Sequence, residues 1–447
     1  MARLHEYQGK KLLAEAGIAI PRGKVATTPE ETKAIAKELG GIVVVKAQAW
    51  VTGRAAKGGV AIVDSEEEAE EASKNMLGLQ FGNFPVEELL VEEKLDITDE
   101  YFVSLTIDDA EQSPLLLLDC QGGSGIEDRA DTVVRIPVSA DGELDRAVLL
   151  KETGDEKVAD AIATIVKTAK ECEARSMEVN PLVRVSGGSI LAADCRVTID
   201  DYAVFRHPEL GIEIARELDH PPTKLERLAY EIEQEDHRGT FYFAKLPTDG
   251  WENAKGLIAF HGAGGGGSMM SMDAVSNEGF TLANFTDTSG NPSVAKVYQA
   301  ARIILAQPNL CGYFGSGSGV ASQEQYHSAY GLAKAFIEMK MEIPVVIRLG
   351  GNSEDRAVDI LEDACKNLPA PVRGFKKDDT PGKCAEVFTK LVEETNATND
   401  SMTRLVPDFV GSENSSSFPI KYGALWIDNL TKEVAEIVVR ESNGLLA

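Results

Sequence analysis

The sequence predicts an α/β protein of two domains, the second built on a doubly wound parallel sheet. Two observations lead there. At 447 residues the chain is too long for one ordinary core. From Gly256 onward it repeats an apolar strand, a glycine-rich loop and a helix several times. That rhythm implies parallel pairing, with sites at the carboxyl ends of the strands.

The elements follow in order. Leu4 to Ala16 reads as an amphipathic helix, stopped by Gly17 and followed by Pro21. Gly41 to Gln48 is a β-branched run that reads as a buried strand, and Val60 to Val63 should pair with it across a glycine-rich connector. Glu66 to Met76 is helical. Leu89 to Glu92 and Tyr101 to Thr106 are strands on either side of a charged turn, and Leu115 to Leu118 is another. Asp155 to Ala174 is a long amphipathic helix, and Met177 to Val183 with Ser189 to Ala193 reads as a hairpin. A charged stretch with Pro221-Pro222 ends the first half. The second half runs Gly256–Phe260, a helix around Met269, Leu310–Phe314, a helix through Tyr326 to Met339, and Pro344–Arg348. The expected domains are residues 1–240 and 250–395. Residues 396–447 form an extension rich in Ser, Asn, Thr and Asp near its start, with a helix at Thr431 to Arg440.

Composition narrows the classes. A formal net charge of −27 repels phosphate backbones, which argues against nucleic acid as a partner. No apolar run is long enough to span a bilayer and Met1 to Lys11 lacks a signal-peptide core, so neither membrane nor export is expected. The six cysteines are scattered without paired spacing, which suits a reducing compartment, the cytoplasm.

Several residues carry candidate chemistry in the first half. Lys46 lies inside an apolar strand and needs an anion nearby. Gly53-Arg54-Ala55-Ala-Lys57-Gly-Gly59 offers backbone N–H groups and two cations, a composition suited to phosphates. Glu92 and Glu100 bracket a turn where carboxylates would accept from ribose or base donors. Asn180 and Asp194 sit on the two arms of the predicted hairpin, and a pair of oxygen ligands of that kind suits magnesium.

In the second half, His261-Gly262-Ala-Gly264-Gly-Gly-Gly-Ser268 follows a strand and opens a helix, which directs amides at an anion. Gly315-Ser-Gly317-Ser318-Gly319 reads the same way at the next crossover. Either loop alone also fits a dinucleotide fingerprint, but after the first no acidic residue ends a second strand at the distance that fingerprint needs.

These segments, taken together, resemble a known family. Leu4-His-Glu-Tyr-Gln-Gly-Lys-Lys-Leu-Leu-Ala14, Val45-Lys-Ala-Gln48, Gly53-Arg54 with Lys57-Gly-Gly-Val60, Met177-Glu-Val-Asn-Pro-Leu182 and Phe205-Arg-His-Pro-Glu-Leu210 are similar, in this order, to the β subunit of succinyl-CoA synthetase. The resemblance covers roughly the first 395 residues. It implies an ATP-grasp domain followed by a flavodoxin-like CoA-ligase domain. Lys46, Gly53, Arg54, Ala55, Glu92 and Glu100 would bind ATP or GTP, and Asn180 and Asp194 would bind Mg2+. An α-type partner subunit would carry the CoA-binding domain and a phosphohistidine, so a hetero-oligomer is expected, with CoA as co-substrate. One departure stands beside the second metal ligand. Asp194-Cys195-Arg196 replaces the family's Asp-Ala-Lys or Asp-Gly-Lys and keeps both charges.

The second half departs further. His261 stands where the family has Asn. Ala283 to Ser293 lacks the usual triple glycine, and its Ser289-Gly290-Asn-Pro-Ser293 is more similar to ATP-citrate lyase. The connector from Phe314 to Gly331 has the length found there, and Arg348-Leu349-Gly350-Gly351 resembles the lyase's Arg-Arg-Gly-Gly with Leu349 for the second arginine. The resemblance implies that His261, Gly262, Gly264, Ser289, Gly290, Gly317, Ser318, Gly319, Arg348 and Gly350 bind the carboxylic acid or phosphate. Ser316, Ser318, Ser322 and Gln323 are donors suited to a bulkier, hydroxylated acid. Citrate is therefore favoured over succinate or malate. His261 is a substrate donor, a proton carrier or a space-filler. A non-catalytic nucleotide-binding subunit is the reading of another class, and intact Lys46, Asn180 and Asp194 argue against it.

Overall fold

A computed structural model of the chain describes residues 2–51, 53–123, 132–216, 218–236, 238–317, 319 and 321–396. The expected Thr431–Arg440 helix and the rest of the extension lie outside them, as does Ser318. The chain divides into two compact units, Met1–Pro221 and Pro222–Ala447. The division falls at the Pro221-Pro222 pair, ahead of the 240–250 interval that the sequence suggests. The reason is the helix Lys224–Glu235, which buries Leu228, Ala229 and Ile232 in the second unit's core.

The first unit holds two large antiparallel sheets beside the short two-stranded pair Gln80–Phe81 and Phe84–Pro85. In the smaller of the two large sheets, the strands run Gly23–Ala26, Glu88–Glu93, Val43–Gln48, Val60–Val63. Strand alternation puts Val43, Val45 and Ala47 on the face covered by the helices Pro29–Leu39 and Glu66–Met76. Lys46 points to the opposite face. Ser65 and Thr28 cap the two helices by accepting from Glu68 N and Glu31 N.

The larger sheet runs Ala2–Arg3, Arg196–Ile199, Ala174–Val185, Ile97–Asp108, Ser113–Asp119, Val134–Pro137, with Ile190–Ala192 paired alongside Ala174–Val185. Thus the two strands flanking the charged turn near Asp96 enter different sheets. The helix Glu156–Glu171 lays Val158, Ile162, Ile165 and Ala169 inward at helical spacing.

The second unit is the doubly wound sheet. Its order is Tyr242–Lys245, Asn284–Asp287, Leu257–Ala263, Leu310–Gly317, Val345–Arg348, Val372–Phe375, all parallel except the first pair. Leaving aside the antiparallel edge, the parallel strands follow the flavodoxin-like order, whose chain reversal places a crevice between the first and third. Those are Leu257–Ala263 and Leu310–Gly317. Period-two alternation separates two cores. Leu257, Ala259, Tyr313 and Val345 join the side of the helices Val294–Leu305, Tyr326–Glu338 and Glu354–Cys365. Ile258, Phe260, Phe314 and Val346 join the side of Gly265–Asn277 and Pro381–Asn396. No helix among the described residues is long and apolar enough to cross a membrane.

Candidate functional site: a buried charge network and the rim of the parallel sheet

The helix Glu6–Glu15 places Glu6 and Lys10 one turn apart with Leu13 beyond them, all on its buried face. Lys46 arrives from the small sheet, and its Nζ lies 2.9 Å from Glu6 Oε1, 2.9 Å from Glu92 Oε2 and 2.8 Å from Ala193 O. Lys10 Nζ lies 2.8 Å from both Glu6 and Glu92. Arg54 donates to Glu6 Oε2 at 2.6 Å and to Ala47 O at 2.8 Å, with Asp194 Oδ2 further off at 3.3 Å. Lys10, Lys46 and Arg54 therefore face Glu6, Glu92 and Asp194, and the charges balance.

Burial by itself would raise the Glu6 carboxyl, but Lys46, Lys10 and Arg54 outweigh it and hold the group well below the ordinary carboxylate range. Burial would likewise lower Lys46, yet Glu6, Glu92 and Asp194 leave it above the usual lysine value. Asp194 goes the other way. Loss of water, with Glu6 adding repulsion, raises it despite Arg54 and Lys46. Its side chain keeps 38% of its surface open. It is the one carboxylate of the network left under-compensated and reachable.

Asn180 lies in the neighbouring strand. The register pairs Leu182 with Ala192 on one side and Glu178 with Arg196 on the other, so Asn180 and Asp194 fall in the stretches between those pairs. Asn180 Oδ1 accepts from Gly123 N at 2.9 Å. The Glu100 carboxylate lies against Gly123, where an added Cβ would meet Oε2 at 2.5 Å. One carboxylate and one amide oxygen, open to solvent and short of positive charge, suit Mg2+, which completes its shell with phosphates and water.

The structure thus brings together Lys46, Arg54, Glu92, Asn180 and Asp194, with Glu100 beside Asn180. Two expectations change. Glu92 is 2% exposed and orients Lys10 and Lys46 rather than facing a ribose. The loop after Gly53 folds on itself as the short 3-10 turn Ala55–Lys57, so the N–H groups of Lys57 and Gly59 bond Arg54 O and that of Gly58 bonds Ala55 O. The Arg54 guanidinium, not those amides, is what this loop delivers. Sequence reasoning missed Glu6 and Lys10. Their signal was two opposite charges four residues apart on the apolar stripe that ends in Leu13.

At the rim of the parallel sheet, several expected loop residues prove to be strand. His261 and Gly262 lie in Leu257–Ala263, and Gly315, Ser316 and Gly317 in Leu310–Gly317. His261 is buried, with Nδ1 2.5 Å from Tyr313 Oη and Nε2 3.1 Å from Thr288 Oγ1, so it is a packing residue of the strand and not a substrate donor. Burial pushes it down to about 4. Ser316 is spent on Ser271, Oγ to Oγ at 2.7 Å. Gly262 is glycine because a Cβ would meet Thr286 O at 2.6 Å. The second glycine run does not open a helix, since the strand Ala321–Glu324 intervenes before Tyr326–Glu338.

Gly264 does begin the helix Gly265–Asn277, but its N–H donates to Asp287 Oδ1 at 2.8 Å, an acceptor shared with Ser289 N at 2.8 Å. Ser289 holds a left-handed φ of 65° and Gly290 approaches Ala321. Gly265 and Gly266 remain exposed, so the amides of the first turn face solvent without side chains over them. Arg348 bonds three backbone carbonyls, those of Asp379, Gly317 and Lys377, at 2.7, 2.8 and 2.6 Å. Beside it Gly319 and Gly350 pass too closely for side chains, an added Cβ on Gly350 meeting Gly319 Cα at 3.0 Å.

Comparison with known proteins now bears on both sites. Residues 3–184 match an ATP-grasp domain and residues 251–383 match the ATP citrate lyase citrate-binding family. The chain is 34% identical over 371 residues to the β subunit of the GDP-forming succinate–CoA ligase of Thermus thermophilus, covering 80% of this chain and 93% of that one. The chain belongs to the succinate–CoA ligase β-subunit family. It is also 34% identical over 405 residues to subunit β 2 of the ADP-forming succinate–CoA ligase of Archaeoglobus fulgidus, covering 88% and 100%. Its fold matches the ATP citrate lyase of Methanothrix soehngenii, solved with citrate and coenzyme A, at a TM-score of 0.70 and 20% identity, covering 87% and 99%. The chain is therefore an ATP-grasp CoA-ligase subunit.

Two outcomes follow. Glu6→Gln leaves three buried cations facing two carboxylates, and should lower stability by about 3–5 kcal/mol, read from chemical unfolding near neutral pH. The Glu6 contribution is fully present above the unfolded carboxylate value of 4.5, so the loss should begin to shrink as pH falls below it and disappear only at the much lower pH where the folded carboxylate takes up its proton. For His261, the unfolded chain binds a proton below the ordinary 6.5 that the folded chain refuses until about 4. Stability should fall by roughly 1–2 kcal/mol between pH 7 and 5 on its account, and His261→Gln should remove that share of the slope.

Proposed function

We propose that this chain is the nucleotide-binding subunit of an acyl-CoA synthetase whose acid is citrate. It would work with an α-type subunit carrying a CoA-binding domain and a phosphohistidine. The match of residues 251–383 to a citrate-binding family carries the choice of acid. Lys46 and Arg54 supply positive charge to the phosphates of ATP or GTP. Mg2+, held by Asn180 and Asp194 together with phosphates and water, supplies further charge neutralisation when bound. The γ-phosphoryl group passes to the partner's histidine, leaving the nucleoside diphosphate. It then passes to a citrate carboxylate, giving an acyl phosphate. CoA thiolate attacks that carbonyl and inorganic phosphate departs. This chain's part is positioning and electrostatic stabilisation, with the open amides at Gly265 and Gly266 available to the phosphoryl group in transit. The free cysteines among the described residues suit a cytoplasmic setting. Succinate is the second reading, favoured by the relatives at 34% identity, which are succinate–CoA ligase β subunits.

Two experiments test this. The reconstituted pair should hydrolyse nucleotide in a CoA-dependent manner with citrate, and far less with succinate, malate or acetate. Turnover with succinate alone would overturn the choice of acid. Asp194→Ala should abolish nucleotide-dependent phosphorylation of the partner histidine, followed with radiolabelled nucleotide. Unchanged phosphorylation would place the metal elsewhere.

A further inference from the structure

The acid-binding rim poses a charge problem. A polycarboxylate of about three negative charges must approach a chain whose own formal charge is −27. The cations that the sequence aligns with the acid do not meet the need. Arg348 is committed to three carbonyls. The next position, Leu349, is apolar and 3% exposed, part of the core. Lys376 and Lys383 are ion-paired with Asp355 and Asp379.

Another cation is brought to the rim from a different direction. Arg238 precedes the sheet altogether, on the segment between the helix Lys224–Glu235 and the strand Tyr242–Lys245. It is exposed, and its Nη2 donates to Gln323 Oε1 at 2.8 Å. Gln323 belongs to Ala321–Glu324, the strand that follows the crevice strand Leu310–Gly317. Its own N–H is held by Asn291 Oδ1 at 2.9 Å and its Nε2 by Pro292 O at 2.8 Å. Gln323 is thereby fixed on the Ser289-Gly290-Asn291-Pro292 loop.

The segment bearing Arg238 is tied down by an unusual device. Lys296, fully buried at 0%, donates to the carbonyls of Asp236, Arg238 and Gly239 at 2.5, 2.8 and 3.0 Å, and Ser293 bonds the Asp236 carboxylate. A buried ammonium is costly, and here it fixes the backbone on which one exposed guanidinium sits. The hydrogen bond to a neutral amide leaves the charge of Arg238 uncancelled, and a guanidinium has further N–H donors in the same plane.

We propose that Arg238 is a specificity-determining residue for the acid, pairing with a carboxylate of a polycarboxylate substrate at the rim and taking the charge role that Leu349 cannot fill. Gln323 and Lys296 are positioning residues, the first orienting the guanidinium and the second its backbone. The inference rests on the citrate reading above.

The test uses the reconstituted complex with citrate as variable substrate. Arg238→Ala should raise KM for citrate by about tenfold or more while KM for nucleotide changes less than about twofold. Arg238→Lys should recover part of the loss, because charge returns without the planar fork. With acetate, which lacks the extra carboxylates, the variant should resemble the parent. Wild-type turnover of citrate with an unchanged KM in Arg238→Ala overturns the inference and leaves the citrate reading standing. Equal losses for citrate and nucleotide mark a structural role and also overturn it. No citrate turnover by the wild-type complex removes the reading and this inference with it.

Discussion

The first unit depends on one constraint: six charged groups, five of them buried or nearly so and Asp194 at the margin, must remain neutral as a set. Glu6 and Lys10 come from the first helix, Lys46, Arg54 and Glu92 from the small sheet and its loop, and Asp194 from the hairpin of the large sheet. No two sequence-adjacent residues form it. Each group is correctly compensated only when helix, small sheet and large sheet are assembled together. Such a network adds little net stability compared with an apolar replacement, but losing any one member is costly. Its effect is therefore on geometry. It fixes where Lys46 and Arg54 stand before any ligand arrives, which is the preorganisation that phosphoryl chemistry requires.

The balance is uneven in a useful way. Glu6 sits at the centre, in reach of all three cations, and is held ionised. Asp194 sits at the margin, with Arg54 3.3 Å away and its carboxyl raised. On the proposed function, a divalent cation at Asp194 and Asn180 would offset that excess negative charge, and a phosphate at Arg54 would replace the contact the carboxylate gives up. Metal and anion would then enter a site that is neutral overall, each supplying the charge that the other requires.

Much of this was legible in the sequence, and the gaps have physical causes. Strands and helices were readable from period-two and helical spacing, and the doubly wound half from its repeating rhythm. Lys46 was readable because a charge in an apolar strand demands a partner. Glu6 and Lys10 were not, because charges on an amphipathic helix ordinarily face water, and only the tertiary structure shows that their stripe is the buried one. The glycine runs misled in a specific way. Gly315 to Gly317 read as a loop, yet the strand continues through them. An added Cβ on Gly315 would meet Ile347 at 2.7 Å, so the small residues there answer to packing between neighbouring strands. His261 resembled a donor because its partners lie far away in sequence: Tyr313 within the neighbouring strand Leu310–Gly317 and Thr288 just past the end of Asn284–Asp287.

The fate of Arg348 shows why the acid site cannot be read from the rim motif alone. At the carboxyl ends of parallel strands the chain turns away, and its carbonyls lose the ladder partners they would have had. A guanidinium placed within that rim is drawn to them. Arg348 duly ties the end of the strand at Gly317 to Lys377 and Asp379 in the turn after Val372–Phe375. What holds the loops in place is then unavailable to hold an acid. A cation meant for a ligand must come from outside the strand ends, on a segment whose own carbonyls are already satisfied. Asp236, Arg238 and Gly239 meet that condition, since Lys296 takes their three carbonyls and leaves the Arg238 side chain at the surface. On the proposed assignment the two cations have opposite duties: Lys296 is buried to satisfy backbone, and Arg238 is exposed to meet the charge of the acid.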